Sequence, residues 1–452
     1  MRRRRGGPAR PGPARRMEAA GGMLAPARAR RPEAVRLRKR RSVLYSGAAA
    51  QRSAGPAGRP APLLTLAVAL RVLNCALVQT SFVPDEYWQS LEVAHRMVFN
   101  YGYLTWEWAS GIRGYSYPLI FASIYKTLQL LAKDDVQLLL QVFSFGSTCN
   151  CYSSHCCYPM DTSGLHPFYA RTEESRPYPT QLHSSWWVLV QLNFVKFNVL
   201  QNLGTFYGSH PWHWYFTQGL PVILGTHLPF FIHGCVLAPK RYRIFLLAVI
   251  WTVLVYSMLS HKEFRFIYPV LPFCMVFCGY SLKHLKSWKK SAASFLLLSN
   301  LLPALYTGLI HQRGSLDVMS HVQQLCNNSY QSQAFVFFMM PCHSTPFYSH
   351  VHCPLKMRFL QCPPDLTGNE SYIDEADLFY SNPLGWLNKE FYKDTLLPSH
   401  LIFFSVLEQE ISSFLVLRGY EKTATVFHTH VPQGRVGSHI YVYRKKTEMN
   451  HT

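Results

Sequence analysis

The sequence predicts a mainly α-helical, polytopic membrane protein with a mixed α/β domain toward its C-terminal end. Hydrophobic residues make up 48% of the chain and charged residues only 15%, and the apolar residues are gathered in blocks rather than spread over one soluble core. Seven blocks approach the ~20 apolar residues a membrane-crossing helix needs: near residues 62–81, 115–132, 186–203, 215–237, 243–260, 266–282 and 291–311. Beyond residue 312 the long blocks stop. Short apolar runs such as Ala334 to Met340 and His400 to Val406 then alternate with Pro, Gly, Asn and Cys clusters, the pattern of a compact α/β domain.

In chain order, residues 1–60 form an Arg-rich arm. It holds 17 Lys plus Arg against 2 acids, so +15 of the formal net charge of +21 is local to it and +6 remains elsewhere. Its Arg, Ala, Gly and Pro lack apolar periodicity, which predicts disorder. No aromatic or base-reading module accompanies the arginines, which argues against a nucleic-acid partner. The run Arg36 to Arg41 directly before an apolar block holds the N-terminus in the cytosol by the positive-inside bias. The arm is too long for an ordinary cleaved signal peptide, and Met17 and Met23 are alternative starts.

Residues 61–143 carry the first spans and an acidic motif, 144–185 an irregular Cys-rich segment, 186–311 the remaining spans, and 312–452 the C-terminal domain. Alternating the spans puts Lys240-Arg241-Tyr242-Arg243 and the run from Lys283 to Lys290 on the cytosolic side, as the charge bias requires. The same alternation puts Asp85, the loop from Gly204 to Tyr215, the turn from His261 to Arg265 and the C-terminal domain together on the opposite face. On that face Asn327-Asn328-Ser329 and Asn369-Glu370-Ser371 are glycosylation sequons. Cys326, Cys342, Cys353 and Cys362 form an even set suited to one or two disulfides of unspecified pairing.

Two charged runs end apolar blocks: Pro84-Asp85-Glu86-Tyr87-Trp88 and His261-Lys262-Glu263-Phe264-Arg265-Phe266. Charges at a membrane edge are costly and are commonly functional. Asp85 suits a general base and Glu86 a group that orients the base or the acceptor; the plainer reading is a helix start with acids against the dipole. His261, Lys262 and Arg265 suit an anionic leaving group, or else an interfacial cluster that anchors helix ends. The loop from Gly204 to Tyr215 adds His210, Trp212 and His213, which fit a sugar or lipid-phosphate headgroup or an aromatic interfacial belt. The segments Tyr101 to Trp108 and Arg113 to Pro118, with Arg113 and Tyr115, extend the same face.

Three motifs in order carry a resemblance: Phe82-Val83-Pro84-Asp85-Glu86-Tyr87-Trp88-Gln89-Ser90, Tyr207-Gly208-Ser209-His210-Pro211-Trp212-His213-Trp214-Tyr215, and His261-Lys262-Glu263-Phe264-Arg265-Phe266-Ile267-Tyr268-Pro269. The chain resembles glycosyltransferase family 22 over roughly residues 62–143 and 190–445. The resemblance implies a C-type glycosyltransferase architecture in the endoplasmic reticulum membrane, multi-pass, with a cytosolic N-terminus and a luminal mixed α/β C-terminal domain. It implies transfer of mannose from dolichyl-phosphate mannose to a mannosylated glucosaminyl-phosphatidylinositol acceptor, as the third, α-1,2-linked mannose of a glycosylphosphatidylinositol precursor, with inversion. Its partners are then that donor, that acceptor and membrane lipids, with no metal, no cofactor and no nucleic acid. Carried over, the motifs make Asp85 the base with Glu86 beside it. His261, Lys262 and Arg265 hold the donor phosphate, and Trp88, Arg113, Tyr115, His210, Trp212 and His213 line the substrate site.

From about Ser144 to Ser185 the family's further apolar spans are replaced by Cys, Ser, His, Pro and charged residues, as in a shortened splice product. Cys149, Cys151, His155, Cys156 and Cys157 stand here without the paired Cys-x-x-Cys frame of a zinc site. Two rival functions stay open on the residues: a catalytically impaired variant that binds lipid or a partner, and a transporter, whose polar sites belong nearer mid-membrane.

Overall fold

The computed structural model describes residues 60–80, 85–133, 189–327, 334–366, 371–393 and 397–446. The Arg-rich arm, the Cys-rich segment with its candidate zinc cluster, and Asn369 lie outside the described residues. Asn327 closes the turn Leu325–Asn327, at the edge of a described stretch.

Among the described residues three helices are long and apolar enough to cross a bilayer: Tyr215–Leu237, Phe264–His284 and Lys286–Gln324. A third or less of each apolar window is buried within the protein, and an outward apolar surface of that extent suits lipid. Several of the seven sequence blocks fall short of a span. Ser116–Leu130 and Arg243–Ser257 are 15 residues each, about 22 Å at 1.5 Å per residue against a ~30 Å hydrocarbon core. Val190–Val195 continues only through Lys196–Leu200. Left-handed residues follow two of these helices, Ala132 at φ 50° and Asn202 at φ 52°, so local backbone conformation stops what composition alone would extend. Pro60–Leu77 is helical over 18 residues.

The helical part has two small cores. Leu91–Phe99 packs on Ser116–Leu130 through Leu91, Ala94, Phe121 and Tyr125. Trp214, Tyr215, Val249, Val253, Ile267 and Phe277 join the later helices. At Gly234 an added Cβ would stand 2.0 Å from the Phe277 carbonyl oxygen, so the approach of these two helices depends on glycine.

The C-terminal region forms a five-stranded sheet in the order β2-β1-β3-β5-β4. Its strands are β1 Phe335–Met339, β2 Lys356–Phe359, β3 His400–Phe404, β4 Tyr420–Phe427 and β5 His439–Lys445. β1 runs parallel to β2 and β3, while β5 is antiparallel to β3 and β4. Successive side chains of a strand point to opposite faces, and both faces are covered here. Val336, Phe338, Ile402 and Phe404 enter one core; Phe337, Met339, Leu401 and Phe403 enter the other, under Phe379, Leu387, Ile411 and Phe414. Double burial explains why β1 and β3 read as unbroken apolar runs. The four cysteines pair as Cys326–Cys353 and Cys342–Cys362.

The first of these cores also holds Trp88. Its indole packs at ring distances of 5.2 Å from Phe347 and 4.8 Å from Phe359, and Nε1 donates to the Thr345 carbonyl at 2.8 Å. The acidic motif is thereby fastened to the sheet region, 257 residues away in sequence.

Candidate active site

Asp85 and Glu86 occupy the first turn of the helix Asp85–Gln89, where the positive end of the backbone dipole favours carboxylates. Trp88 is drawn inward, Ser90 Oγ donates to the Glu86 carbonyl at 2.6 Å, and Asp85 is left with its side chain 48% exposed. One turn on, the buried Glu92 Oε1 accepts from the Phe347 and Ser349 amides at 3.0 Å each and from the Ser349 hydroxyl. Glu92 and Trp88 thus bolt the acidic segment to the loop after β1, and the accessible end of that segment carries Asp85.

From this end a chain of contacts runs to the cationic turn. Gln89 Nε2 donates to Glu107 Oε1 at 3.0 Å. Beside Glu107, Trp106 Nε1 donates to the Tyr207 hydroxyl at 2.9 Å. The next carbonyl, that of Gly208, meets His261 Nδ1 at 3.0 Å. His261 Nε2 is 2.9 Å from Glu263 Oε1, and Arg265 Nη2 donates to the same oxygen at 2.8 Å. Arg265 then closes the circuit electrostatically, since its charge acts on the Glu86 carboxyl. The Tyr215 hydroxyl, at the head of the first long helix, donates to the Glu263 carbonyl and accepts from the Glu263 amide, which fixes the turn to the bundle.

The charge states follow from these surroundings. Burial pushes the Glu86 carboxyl up, Arg265 opposes it, and the neighbouring Asp85 adds to it. Burial also raises Glu263, but hydrogen bonds from His261 and Arg265 outweigh it and leave the carboxyl below its usual range. The hydrogen bond to Glu263 in turn raises His261, favouring its cationic form. Tyr207 is 46% exposed as a residue, yet enclosure of its hydroxyl, with the charges of Glu107, Asp85 and Asp374, pushes that group up. The contact chain is therefore acidic at one end and basic at the other.

Two expectations change. Trp88 is 1% exposed and belongs to the core, so it anchors the motif rather than lining a substrate surface. Lys262 is 3% exposed; its Nζ donates to the His210 carbonyl at 2.9 Å and to the Leu259 carbonyl, and burial lowers its pKa. It ties its own turn to the His210 loop, and its ammonium is enclosed. His210 stacks on Trp214 at 4.7 Å, while Trp212 and His213 contact each other, and all three are exposed. Arg113 and Tyr115 are half-buried, with Tyr115 against Trp108 at 4.8 Å.

The structure adds residues the sequence did not single out as site groups. Glu107 and Tyr207 lay within motifs noted for aromatic character, and their facing positions could be suspected. Asp374 and His343 come from the sheet region and carry no local signature. His343 Nδ1 stands 3.5 Å from Asp85 Oδ1. Cys342, His343 and Cys362 bring potential metal-ligand atoms within 4.8 Å of one another, but the two cysteines are joined as a disulfide, which removes the thiolates a metal would need.

Residues 63–163 and 167–352 match the model of the Alg9-like mannosyltransferase family. The chain is 54% identical to the human protein named GPI alpha-1,2-mannosyltransferase 3, with 91% of this chain and 92% of that protein aligned. It is 51% identical to the Xenopus laevis protein of that name, over 92% and 96%. Against the Drosophila melanogaster GPI mannosyltransferase 3 the identity is 32%, over 81% and 83%. No solved structure matches the chain. The human alignment runs over 512 positions, whereas 91% of 452 residues is about 411, so about 100 positions stand opposite gaps in this chain. On its motifs, the contacts that link them and these matches, the chain belongs to the Alg9-like mannosyltransferases of glycosyltransferase family 22 and is a glycosyltransferase.

Proposed function

We propose that the chain transfers mannose from dolichyl-phosphate mannose to a mannosylated glucosaminyl-phosphatidylinositol, forming the third, α-1,2-linked mannose of the glycosylphosphatidylinositol precursor. The reaction proceeds on the luminal side of the endoplasmic reticulum membrane, in a C-type architecture whose sheet domain is luminal. The observation that carries this reading is the chain of contacts from Gln89, on the short helix that bears Asp85 and Glu86, to His261 and Arg265. Support also comes from the 54% identity with a protein whose name states that activity.

In this reading Asp85 accepts the proton of the acceptor hydroxyl as its oxygen attacks the anomeric carbon. The bond from that carbon to the phosphate oxygen breaks on the opposite face, so the product is inverted. Dolichyl phosphate departs with the electron pair, and its charge is met by Arg265 and protonated His261, held in place by Glu263. Glu86, raised by burial, donates or accepts a hydrogen bond to the acceptor. Glu107 Oε2 is buried and accepts no hydrogen bond among the described residues, which suits a sugar hydroxyl. Lys262 has no part in phosphate binding.

The test is restoration of glycosylphosphatidylinositol-anchored surface proteins in cells lacking this transfer, with the chain and its Asp85→Asn variant. Rescue by the parent and at least a ~100-fold loss of transfer in the variant are expected; equal rescue by both would remove Asp85 as the base. The gaps of about 100 aligned positions favour one second reading, a chain that binds donor without turnover. Donor binding without rescue, repaired by grafting a relative's middle segment, would select it.

A further inference from the structure

We propose that His343, supplied by the sheet region, is a positioning residue for Asp85. With its proton on Nδ1 it donates to Asp85 Oδ1 and holds the carboxylate so that the other oxygen meets the acceptor hydroxyl. This rests on Asp85 being the base, as proposed above.

The first support is how firmly the loop bearing His343 is set against the acidic motif. Thr345 receives the Trp88 indole, and Phe347 and Ser349 donate to Glu92. These bonds are buried and succeed one another along the two segments. The His343–Asp85 pair is the next contact in that series, and it lies at the accessible end, with side chains 16% and 48% exposed. Three enclosed contacts thus fix the frame, and the fourth is the accessible one.

The second support is the imidazole itself. Its ring lies 4.7 Å from the buried Trp88 ring, tilted by 36°, and 5.8 Å from Phe359, so two aromatic walls set its plane. Its backbone has φ 61°, a left-handed conformation that residues other than glycine adopt at a cost and that clusters at functional sites. Preceding it, Cys342 is bridged to Cys362; following it, the Ser344 amide donates to the Pro341 carbonyl at 3.2 Å. The turn is closed on both sides of a residue that a plain loop would fill with Gly or Asn.

The third support is distance. At 3.5 Å the pair is longer than a formed hydrogen bond of about 2.7–3.0 Å, the loose spacing expected of a catalytic pair before substrate draws it together. No proton need leave the pair: the acceptor's proton goes to the free oxygen of Asp85, while His343 keeps its own.

Three substitutions separate the hydrogen bond from the backbone. Asn tolerates the left-handed conformation and places an amide donor near the position of Nδ1; Gly tolerates the conformation without a donor; Ala offers neither. Full-length chain in microsomes from transferase-deficient cells is assayed with dolichyl-phosphate mannose. We expect His343→Gly and His343→Ala to lower kcat about 100-fold with donor KM within about twofold, and His343→Asn to stay within about threefold of the parent. A turnover-independent measurement reads the same contact. Carbodiimide needs access to a carboxyl oxygen, so freeing Asp85 Oδ1 from the imidazole that stands 3.5 Å away should raise modification of Asp85, scored by peptide mass spectrometry, at least about threefold in His343→Gly.

Parental kcat or unchanged Asp85 labelling in His343→Gly would overturn the proposal, as would a change confined to donor KM. Full activity of Asp85→Asn would instead strike the base assignment itself, so the two failures are distinguishable.

Discussion

If Trp88 is an anchor, truncating it must break the docking of the acidic motif before it changes any substrate affinity. The side chain is 1% exposed, packs against Tyr103, His343, Phe347 and Phe359, and donates to the Thr345 carbonyl at 2.8 Å. Removing a buried Trp costs about 3–5 kcal/mol, and stranding the Thr345 carbonyl adds about 1–3 kcal/mol. The sum, about 4–8 kcal/mol, is comparable with the whole stability of a domain. Trp88→Phe keeps most of the ring packing and loses only the N–H, so it should cost about 1–3 kcal/mol, which lowers the midpoint of a domain of this size by about 4–12 °C. The assay is thermal loss of protease resistance of the sheet region in detergent, run beside acceptor KM on membranes. The expected order is parent, Trp88→Phe, Trp88→Ala in falling stability, with KM unchanged wherever protein survives. A Trp88→Ala variant as protease-resistant as the parent, with a raised acceptor KM, would refute the anchoring argument and return Trp88 to the substrate surface.

Three further outcomes are expected. Lys262→Met should cut the yield of folded protein, because the His210 and Leu259 carbonyls lose their donor, while surviving protein keeps its donor KM; a raised donor KM at full yield would refute this. Arg265→Ala should lower kcat and remove the charge that opposes protonation of Glu86, shifting the acid limb of the rate profile to higher pH; an unmoved profile would exclude that coupling. Glu92, raised to about 7 by burial despite its three hydrogen bonds, has a folded pKa above its unfolded one. Its neutral form therefore stabilises the fold at low pH and that contribution fades as pH rises through about 7, so Glu92→Gln should be more stable than the parent by on the order of 3 kcal/mol near pH 8 and equal to it near pH 4; equal stability near pH 8 would refute it.

How much of this was legible in the sequence depended on whether the signal was local. Blocks of apolar residues gave the helical class, and Ala334 to Met340 and His400 to Val406 became β1 and β3. Boundaries were less legible: Asn202 and Ala132 end helices through left-handed backbone conformations that composition does not encode. The two charged motifs were visible because charge beside an apolar block is conspicuous. Which of their side chains stay accessible was not, since burial depends on partners distant in sequence. The charge of Lys262 suits phosphate, whereas the carbonyls of Leu259 in its own turn and of His210 in the facing loop claim its ammonium. The family resemblance implies a substrate-site role for Trp88, whereas its ring packs into the core beside the sheet.

The same dependence explains why His343 carried no signal. Its partner Asp85 precedes it by 258 residues, and Pro341-Cys342-His343-Ser344 reads as a plain turn. What makes it a site residue is the sheet, which sets β1 so that the loop leaving it falls across the acidic helix. Trp88 and Glu92 then fix that loop's position. With Asp85 as the proposed base and His343 as its proposed orienting group, the helices place the one and the sheet region the other, and neither part assembles the pair alone. Substitutions along the Trp88–Thr345 and Glu92–Ser349 contacts should therefore act on turnover through the placement of His343, even though all four residues are buried.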